Sequence, residues 1–255
     1  MGSKARIAKH IVPILQDCID RNNINVYIEP FVGGANIIDK IKCKWRMGND
    51  INRYLIALLR RARSQEPLLE SVSREKYNEV RAAYNTGDTS KYADWIVDNI
   101  GFLASYNGRW FDGGFAQAGY EKTRNGSRYR DYYQEAKNNL EKQRQNLQGV
   151  QFTCKEYSQI DSDSTVIYCD PPYANTKQFA NSKSFDYEQF WDWVRERSKN
   201  NYVFVSELNA PPDFISIWEQ SVSRSIKATD KSRATEKLFV YKYGLLGEKY
   251  KCEII

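Results

Sequence analysis

Two patterns of hydrophobic and polar residues divide the chain. Near both ends, short apolar runs such as VYI, TVIYC and NYVFVSEL alternate with segments in which apolar residues recur every three or four positions. Short runs bounded by turn residues predict buried strands, and the periodic segments predict amphipathic helices. Strands that alternate with helices favour a largely parallel sheet, so the chain is predicted to be an α/β protein.

The same reasoning gives the remaining elements and a domain division. Further strands are predicted at KWRMGN, VQFTCKEY and EKLFVYKYG. Helices are predicted over the first 20 residues, over INRYLIALLRRAR and over DYEQFWDWVRERSKN, and another helix is predicted to start at IIDKI. Residues 65–150 differ, because the helical segments SREKYNEVRAAY and YADWIVDNIGFLASY precede a passage rich in glycine and aromatic residues. We therefore expect an α/β domain formed by residues 1–60 and 150–255, interrupted by an inserted subdomain over residues 61–149.

Composition narrows the classes of function. No apolar stretch reaches the roughly 20 residues of a membrane-spanning helix, and the N-terminus lacks the apolar core of a signal peptide, so a cytoplasmic protein is expected. The five cysteines show no metal-ligand spacing, and the chain has one histidine. These counts argue against a disulfide scaffold, a zinc site and a serine-histidine-aspartate triad. The net charge of +6 is compatible with a nucleic acid partner without identifying one.

The first candidate site is the turn EPFVGGAN, which contains Glu29, Pro30, Phe31, Gly33 and Gly34. Glycine in a turn between a strand and a helix lets backbone N–H groups approach a nucleotide-like ligand, because no side chain blocks them. The turn matches neither the dinucleotide fingerprint nor the P-loop, so a pyrophosphate ligand is disfavoured. Taken alone, an ordinary tight turn is an equally good interpretation.

Asp50 is the second candidate, at the end of the second predicted strand and 17 residues after Gly33. A carboxylate at this position can accept hydrogen bonds from both hydroxyls of a ribose. The competing role is an N-cap of the helix INRYL, since aspartate is a favoured capping residue. Taken alone, the pattern favours the cap.

The stretch YCDPPYAN carries the clearest chemistry. Pro171 and Pro172 fix their own φ angles and restrict Asp170 to an extended conformation, and neither proline offers an N–H group. An amino group on a planar substrate could donate one hydrogen to Asp170 and the other to the carbonyl of Pro171, with Tyr173 stacked on its ring. The competing interpretation is a solvated aspartate in a Pro-Pro turn, which is what we predict for PPD at residues 211–213.

The ordered set EPFVGGAN, Asp50 and DPPY resembles the Dam-like class of S-adenosylmethionine-dependent DNA adenine N6-methyltransferases. The resemblance runs through most of the chain: GSK near the N-terminus is similar to the family's Gly-x-Lys element, FTCKEY to its acidic-aromatic pair, and RATEKLFVY to its last hairpin region. It implies a Rossmann-like methyltransferase fold with a mainly parallel central sheet and an inserted DNA-recognition subdomain of helices and a β-hairpin.

The resemblance also implies residue roles. The methyl group of S-adenosyl-L-methionine would pass to the N6 amine of an adenine flipped out of a specific double-stranded DNA sequence, without a metal. Asp170, Pro171, Pro172 and Tyr173 would form the catalytic set. The residues expected at the cofactor are Gly2, Lys4, Glu29, Pro30, Phe31, Gly33, Gly34, Asp50, Glu156, Tyr157 and Asp170.

Two segments of the insertion are candidate DNA contacts. EKTRNGSRYRDYY places Arg124, Arg128 and Arg130 around an Asn-Gly dipeptide, which is suited to a type I′ hairpin turn. A basic hairpin tip can enter the major groove, where arginine pairs with guanine; a solvated hairpin is the competing interpretation. The second segment is YNGRW, with Asn107 and Arg109, at the junction with the catalytic domain.

Two other functions remain open from the sequence. Methylation of another planar amine, such as cytosine N4 or an RNA adenine, would use similar chemistry, although cytosine enzymes more often resemble a Ser-Pro-Pro motif. A DNA-binding protein without catalysis is the other class, and the intact DPPY set argues against it. The sequence does not imply an oligomer, and it leaves open the target sequence and a role in restriction-modification, mismatch repair or phage self-protection.

Overall fold

The computed structural model describes residues 4–123, 126–172, 185–223 and 233–247. The strands of these segments are β1 (Val26–Glu29), β2 (Trp45–Asn49), β3 (Gly119–Thr123), β4 (Gly126–Arg130), β5 (Val150–Thr153), β6 (Val166–Cys169), β7 (Tyr202–Glu207), β8 (Phe214–Ser223) and β9 (Arg233–Tyr241). The α-helices are α1 (Ala8–Arg21), α2 (Arg53–Arg63), α3 (Arg74–Thr86), α4 (Asp94–Asp98), α5 (Tyr132–Gln143) and α6 (Tyr187–Arg197). None of the helices in this part of the chain has the length and apolar character that crossing a membrane requires.

A seven-stranded sheet forms the centre of the molecule, in the order β5-β2-β1-β6-β7-β9-β8. The first five strands run parallel to one another, and β9 runs antiparallel to both β7 and β8. All four residues of β6 are buried. Fully buried strands arise when helices cover both faces of a parallel sheet. The predicted α/β fold with a mainly parallel sheet is therefore confirmed.

Helices α1 and α6 supply apolar side chains to the two hydrophobic clusters beside the sheet. Ile11 and Leu15 of α1 are completely buried in the cluster that includes Tyr168. Phe190 and Val194 of α6 are buried in a second cluster, together with residues of β6 and β7. Because side chains alternate between the faces of a strand, neighbouring residues of β6 belong to different clusters.

Three segments differ from the sequence predictions. The helix expected from IIDKI is a single 3-10 turn, Ile38–Lys40. It ends because the backbone of Ile41 is extended, and Ile37, Ile38 and Ile41 are all buried while Lys40 is exposed. Helix α5 was not predicted, although Asp131 caps it by accepting a hydrogen bond from the N–H of Gln134. Strand β8 was not predicted either, and it follows the PPD turn directly.

The insertion contains the expected hairpin, with a shifted register. Strands β3 and β4 pair antiparallel, and Thr123 pairs with Gly126. The two connecting residues are therefore 124 and 125, and Gly126 begins the second strand instead of completing the turn. Arg124, a predicted DNA contact, lies outside the described residues.

The insertion shares its hydrophobic core with the rest of the molecule. Helix α2 runs through position 60, where the domain boundary was expected, and its Arg60 and Arg63 donate hydrogen bonds to the carbonyls of Phe152 and Val150 in β5. The same helix packs on α4 of the insertion. The division into one domain of residues 1–60 and 150–255 and a subdomain of residues 61–149 stays a prediction. The two parts pack against each other through α2.

Candidate active site

Lys4 and Asp170 lie in contact at the carboxyl end of β6. The Nζ atom of Lys4 is 3.2 Å from Oδ1 of Asp170 and 3.0 Å from Oε2 of Glu236 on β9. The side chain of Asp170 is 23% exposed, while that of Lys4 is buried. The sequence resemblance predicted Lys4 and Asp170 at one site, but it did not identify Glu236.

Burial, with a smaller contribution from Glu236, raises the pKa of Asp170 to about 6, although Lys4 acts to lower this pKa by stabilising the charged form. At neutral pH the carboxyl group is therefore mostly ionised. It can accept a hydrogen bond from a substrate while remaining close to the pH at which it would take up a proton.

The proline turn that follows Asp170 is anchored to α6. Pro171 is buried and Pro172 is half-buried. The carbonyl oxygen of Pro172 accepts a hydrogen bond of 2.6 Å from the hydroxyl group of Tyr187, the first residue of α6. Tyr173, the predicted stacking residue, lies outside the described residues.

Asp50 binds the glycine-rich turn from the end of β2. Its Oδ2 accepts a hydrogen bond of 3.2 Å from the N–H of Gly33, which has a φ of 48°, and its Oδ1 accepts one of 3.0 Å from the N–H of Asn52. Burial raises the pKa of Asp50, and these N–H groups lower it. Each carboxylate oxygen has two lone pairs, so both retain acceptor capacity for a ligand.

The competing role of Asp50 as a helix cap is wrong, because Asn52 performs it. Helix α2 begins at Arg53, and the side-chain oxygen of Asn52 accepts hydrogen bonds from the N–H groups of Tyr54 and Leu55. Asp50 is therefore available as a side chain of the site.

Asn49 is a residue that the sequence analysis missed. Its Nδ2 donates to the carbonyl oxygens of Pro30 (3.1 Å) and Lys155 (2.8 Å), and its Oδ1 accepts from the hydroxyl of Thr153 (2.8 Å) and the N–H of Lys155 (3.2 Å). The completely buried amide thus joins the loops after β1, β2 and β5. Asparagine at the end of a strand beside a candidate aspartate was the only sequence signal.

Glu29 makes internal contacts at the end of β1. Its carboxyl group is buried and accepts a hydrogen bond of 2.8 Å from the hydroxyl of Tyr27. Burial raises the pKa of Glu29 well above its usual range. The roles of Glu29 and Pro30 at a cofactor remain predictions, and both residues have polar groups engaged inside the protein.

An aromatic cluster lies behind the glycine-rich turn. The rings of Phe31 and Tyr157 have centroids 5.3 Å apart, and both pack on Phe185 and Phe190. The hydroxyl group of Tyr157 is buried and has no hydrogen-bond partner within the described ranges. Glu156, the acidic residue before it, is exposed. Gly34 approaches the side chain of Asn36 so closely that a Cβ atom would meet it at 2.8 Å, and Gly2 lies outside the described residues.

The YNGRW segment forms a tight loop on the insertion. Asn107 is exposed and has a φ of 54°. The N–H of Tyr106 donates to the carbonyl of Gly114 (2.9 Å), and an isolated bridge pairs Ser105 with Phe115. Arg109 is ion-paired with Asp112. These contacts keep Asn107 and Arg109 accessible, while Trp110 packs against Tyr54 and Tyr84.

The two described arginines of the hairpin differ in their partners. Arg130 contacts Glu121 and Glu135 through its guanidinium group, and 33% of its side chain is exposed. Arg128 is 71% exposed, and its one described acidic neighbour, Glu135, is at 3.9 Å.

The opposite face of the hairpin carries exposed aromatic residues, which the sequence analysis missed. Tyr120 and Tyr129 pair across the strands with ring centroids 5.3 Å apart and are 78% and 56% exposed.

The described residues contain no group of three or more histidine, cysteine, aspartate or glutamate side chains arranged to hold a metal ion. The strand order, with antiparallel β9 beside β7, and the Asp-Pro-Pro turn at the carboxyl end of β6 are those of a Rossmann-like methyltransferase.

Comparison with known families gives the particular class. The family model "D12 class N6 adenine-specific DNA methyltransferase" matches residues 1–203, and the chain belongs to this family. It is an adenine-specific DNA methyltransferase, as the resemblance predicted. No curated protein sequence matches the chain. One similar solved structure is that of "a putative RNA methyltransferase PH1948 from Pyrococcus horikoshii", with a TM-score of 0.40, 8% identity, and coverage of 91% of this chain and 83% of that chain.

Proposed function

We propose that this enzyme transfers a methyl group from S-adenosyl-L-methionine to the N6 amine of an adenine that is flipped out of a specific double-stranded DNA sequence. The observation that carries the proposal is the contact of Asp170 with Lys4, directly before the Pro-Pro turn. Lys4 favours the ionised form of the Asp170 carboxylate, which can accept a hydrogen bond. The two prolines that follow have no N–H group that could occupy this carboxylate.

The residues around the turn after β1 fit this cofactor. Ligands of open α/β sheets bind outside the carboxyl ends of the strands, where the loops after β1, β2 and β6 meet. Asp50 retains acceptor capacity for ribose hydroxyls. The aromatic cluster, with a Tyr157 hydroxyl that has no partner among the described residues, offers an apolar wall with one polar group for a purine. When bound, S-adenosylmethionine supplies an electrophilic methyl group on a sulfonium.

Asp170 and Pro171 would orient the nucleophile. The lone pair of the adenine amine is delocalised into the ring, which makes the amine a poor nucleophile. Hydrogen bonds from its two N–H groups to the Asp170 carboxylate and the Pro171 carbonyl favour a tetrahedral nitrogen with a free lone pair. Alignment of the amine with the methyl carbon would account for much of the rate. After transfer, the surplus proton on nitrogen would leave through Asp170.

Access to the amine requires that the adenine leaves the helix. A base within duplex DNA cannot reach a pocket at the sheet edge, and enzymes that modify bases extrude them. Tyr173 is the residue that we expect to stack on the flipped base. Asn107, Arg109 and the exposed Arg128 of the hairpin are the residues that we propose to contact DNA, and a cytoplasmic location fits this substrate.

The test replaces Asp170 with asparagine, which keeps the shape but removes the charge. We expect N6-methyladenine formation from S-adenosylmethionine and unmethylated duplex DNA to fall by a factor of about 100 or more, a usual effect of losing acid-base assistance. For the unmodified enzyme, the rate should decline as pH falls below about 6, because protonation removes the acceptor.

Asp163→Asn is the matched control, because Asp163 is an exposed residue before the opposite end of β6; its activity should not change. Methylation of cytosine N4 or of RNA by the unmodified enzyme, with none of DNA adenine, would refute the proposed substrate. Equal activity of the Asp170 and Asp163 variants would refute the proposed role of Asp170.

A further inference from the structure

Glu207 is a buried carboxylate at the edge of the sheet where Asp170 lies. It was not a predicted site residue, and the proposed mechanism gives it no role. It is the last residue of β7, which lies beside β6. Cys169 pairs with Val205, so Asp170, one position after Cys169, and Glu207, two positions after Val205, lie at the same edge of the sheet. Only 5% of Glu207 is exposed.

The two carboxylate oxygens of Glu207 differ in their contacts. Oε1 accepts a hydrogen bond of 2.8 Å from the N–H of Leu208. Oε2 is buried and has no hydrogen-bond partner among the residues that the structure describes. A buried acceptor without a donor costs about 1–3 kcal/mol, so folded proteins rarely keep one without a functional reason.

Among the described residues, the basic side chains nearest to Glu207 are engaged with other carboxylates. Lys4 binds Asp170 and Glu236 instead, at 3.2 and 3.0 Å. Lys237 pairs with Glu207 across β7 and β9, but its Nζ is 3.7 Å from Oε2 of Glu219 on β8. Within the described ranges, no lysine or arginine nitrogen lies within 4.0 Å of the Glu207 carboxylate.

The titration of Glu207 reflects these neighbours. Burial, together with the charges of Asp170 and Glu236, raises the pKa of Glu207 to about 7, although the N–H of Leu208 and the charge of Lys4 act to lower it. The acid is therefore partly ionised at neutral pH. A positively charged ligand beside it would favour the ionised form.

We propose that Glu207 is an additional cofactor-binding residue, whose Oε2 accepts a hydrogen bond from the α-ammonium group of the methionine part of S-adenosylmethionine. The proposal rests on the function proposed above. A buried acceptor without a partner is complementary to a donor that also carries a positive charge. The adenine amine is neutral, and its hydrogens are assigned to Asp170 and Pro171. The sulfonium has no N–H, and the ribose hydroxyls and adenine amine of the cofactor are neutral, so the α-ammonium group is the positively charged donor.

Two consequences separate this role from a structural one. Ammonium binding requires the ionised carboxylate, so affinity should be retained above the pKa of Glu207 and lost as pH falls below it. Binding should also lower that pKa, so protons should be released on binding near neutral pH. Calorimetry in two buffers with different ionisation enthalpies measures this release directly.

The test is Glu207→Gln, which preserves the shape and the bond from the N–H of Leu208. We expect the affinities for S-adenosylmethionine and S-adenosylhomocysteine to fall equally, by roughly 10- to 100-fold, because both ligands carry the α-ammonium group. 5′-Methylthioadenosine lacks the amino acid part, so its affinity should not change. Its binding also shows that the variant is folded. Proton release near pH 7 should decrease in the variant.

Glu219→Gln on β8 is the matched control, and it should bind all three ligands as the unmodified protein does. Unchanged affinity of Glu207→Gln for S-adenosylmethionine would overturn the inference, and so would a loss restricted to the sulfonium ligand or an equal loss for methylthioadenosine. If the unmodified protein binds none of the three ligands, the proposed cofactor itself fails. If it binds them with no dependence on Glu207, only this inference fails.

Discussion

Asn49 shows how one side chain can set the positions of several loops. Its amide group makes four hydrogen bonds, which involve Pro30, Thr153 and Lys155. Asparagine can donate two hydrogen bonds and accept two, and here each is used. The turn after β1 and the loop after β5 therefore keep fixed positions relative to Asp50, the residue that follows Asn49.

Replacing Asn49 with alanine should destabilise the protein by about 2–4 kcal/mol, because buried carbonyl and N–H groups lose their partners. Affinity for S-adenosylmethionine should fall as well, since the loops that Asn49 joins would no longer be held. Chemical denaturation and calorimetry measure the two effects. Asn78→Ala, at an exposed position of α3, is the control and should change stability by less than about 0.5 kcal/mol. Equal stability of the two variants would contradict this role.

In the β3–β4 hairpin, arginines that look equivalent in the sequence have different surroundings in the structure. The sequence suggested three equivalent arginines, but the pairing places Arg128 and Arg130 on one face of the hairpin with Glu121. Arg130 is neutralised by two carboxylates, whereas Arg128 is largely free in solvent. Strand register, which decides these faces, is not visible from charge alone.

The two arginines should therefore differ in their effect on DNA binding. Each phosphate contact contributes about one unit to the slope of log affinity against log salt concentration. We expect Arg128→Ala to reduce this slope by about one, and Arg130→Ala to leave it nearly unchanged, because Arg130 already has partners inside the protein. Titrations of duplex DNA at several salt concentrations measure the slope. Equal slopes for the two variants would exclude Arg128 as a phosphate contact.

Element prediction succeeded where burial and local sequence agree. Strands β1, β6 and β7 are short apolar runs because both faces are covered, and the pattern shows this directly. It failed for α5, which directly follows a passage rich in tyrosine and glycine, and for the segment Ile38–Lys40, where Ile38 and the neighbouring Ile37 and Ile41 are buried. In both cases tertiary packing outweighs the local pattern.

At the scale of the whole molecule, one hydrophobic core joins the insertion to the sheet. Buried residues of α3 and of the π-helix Asn99–Leu103, such as Val80 and Ile100, belong to the same cluster as Tyr27 of β1. The insertion therefore contributes to the stability of the catalytic part, and it holds the YNGRW loop against α2, where Trp110 packs on Tyr54.

Ile100→Ala tests this continuity. The side chain is completely buried, and truncation of a buried isoleucine costs about 2–5 kcal/mol. We expect amides of both α3 and β1 to lose their slowest hydrogen exchange protection by the same amount, because the two parts unfold together. Loss of protection confined to the insertion would show that it unfolds independently.

The sequence by itself determined the local features: the buried strands, the glycine-rich turn with Asp50, and the rigid Asp-Pro-Pro turn. These follow from backbone preferences and from the hydrophobicity of neighbouring positions. Tertiary structure alone decided which distant side chains meet. Lys4 and Glu236 are 232 positions apart and become partners because the N-terminal turn and β9 reach the same sheet edge. The order of strands depends on packing between distant segments, and no local pattern encodes it.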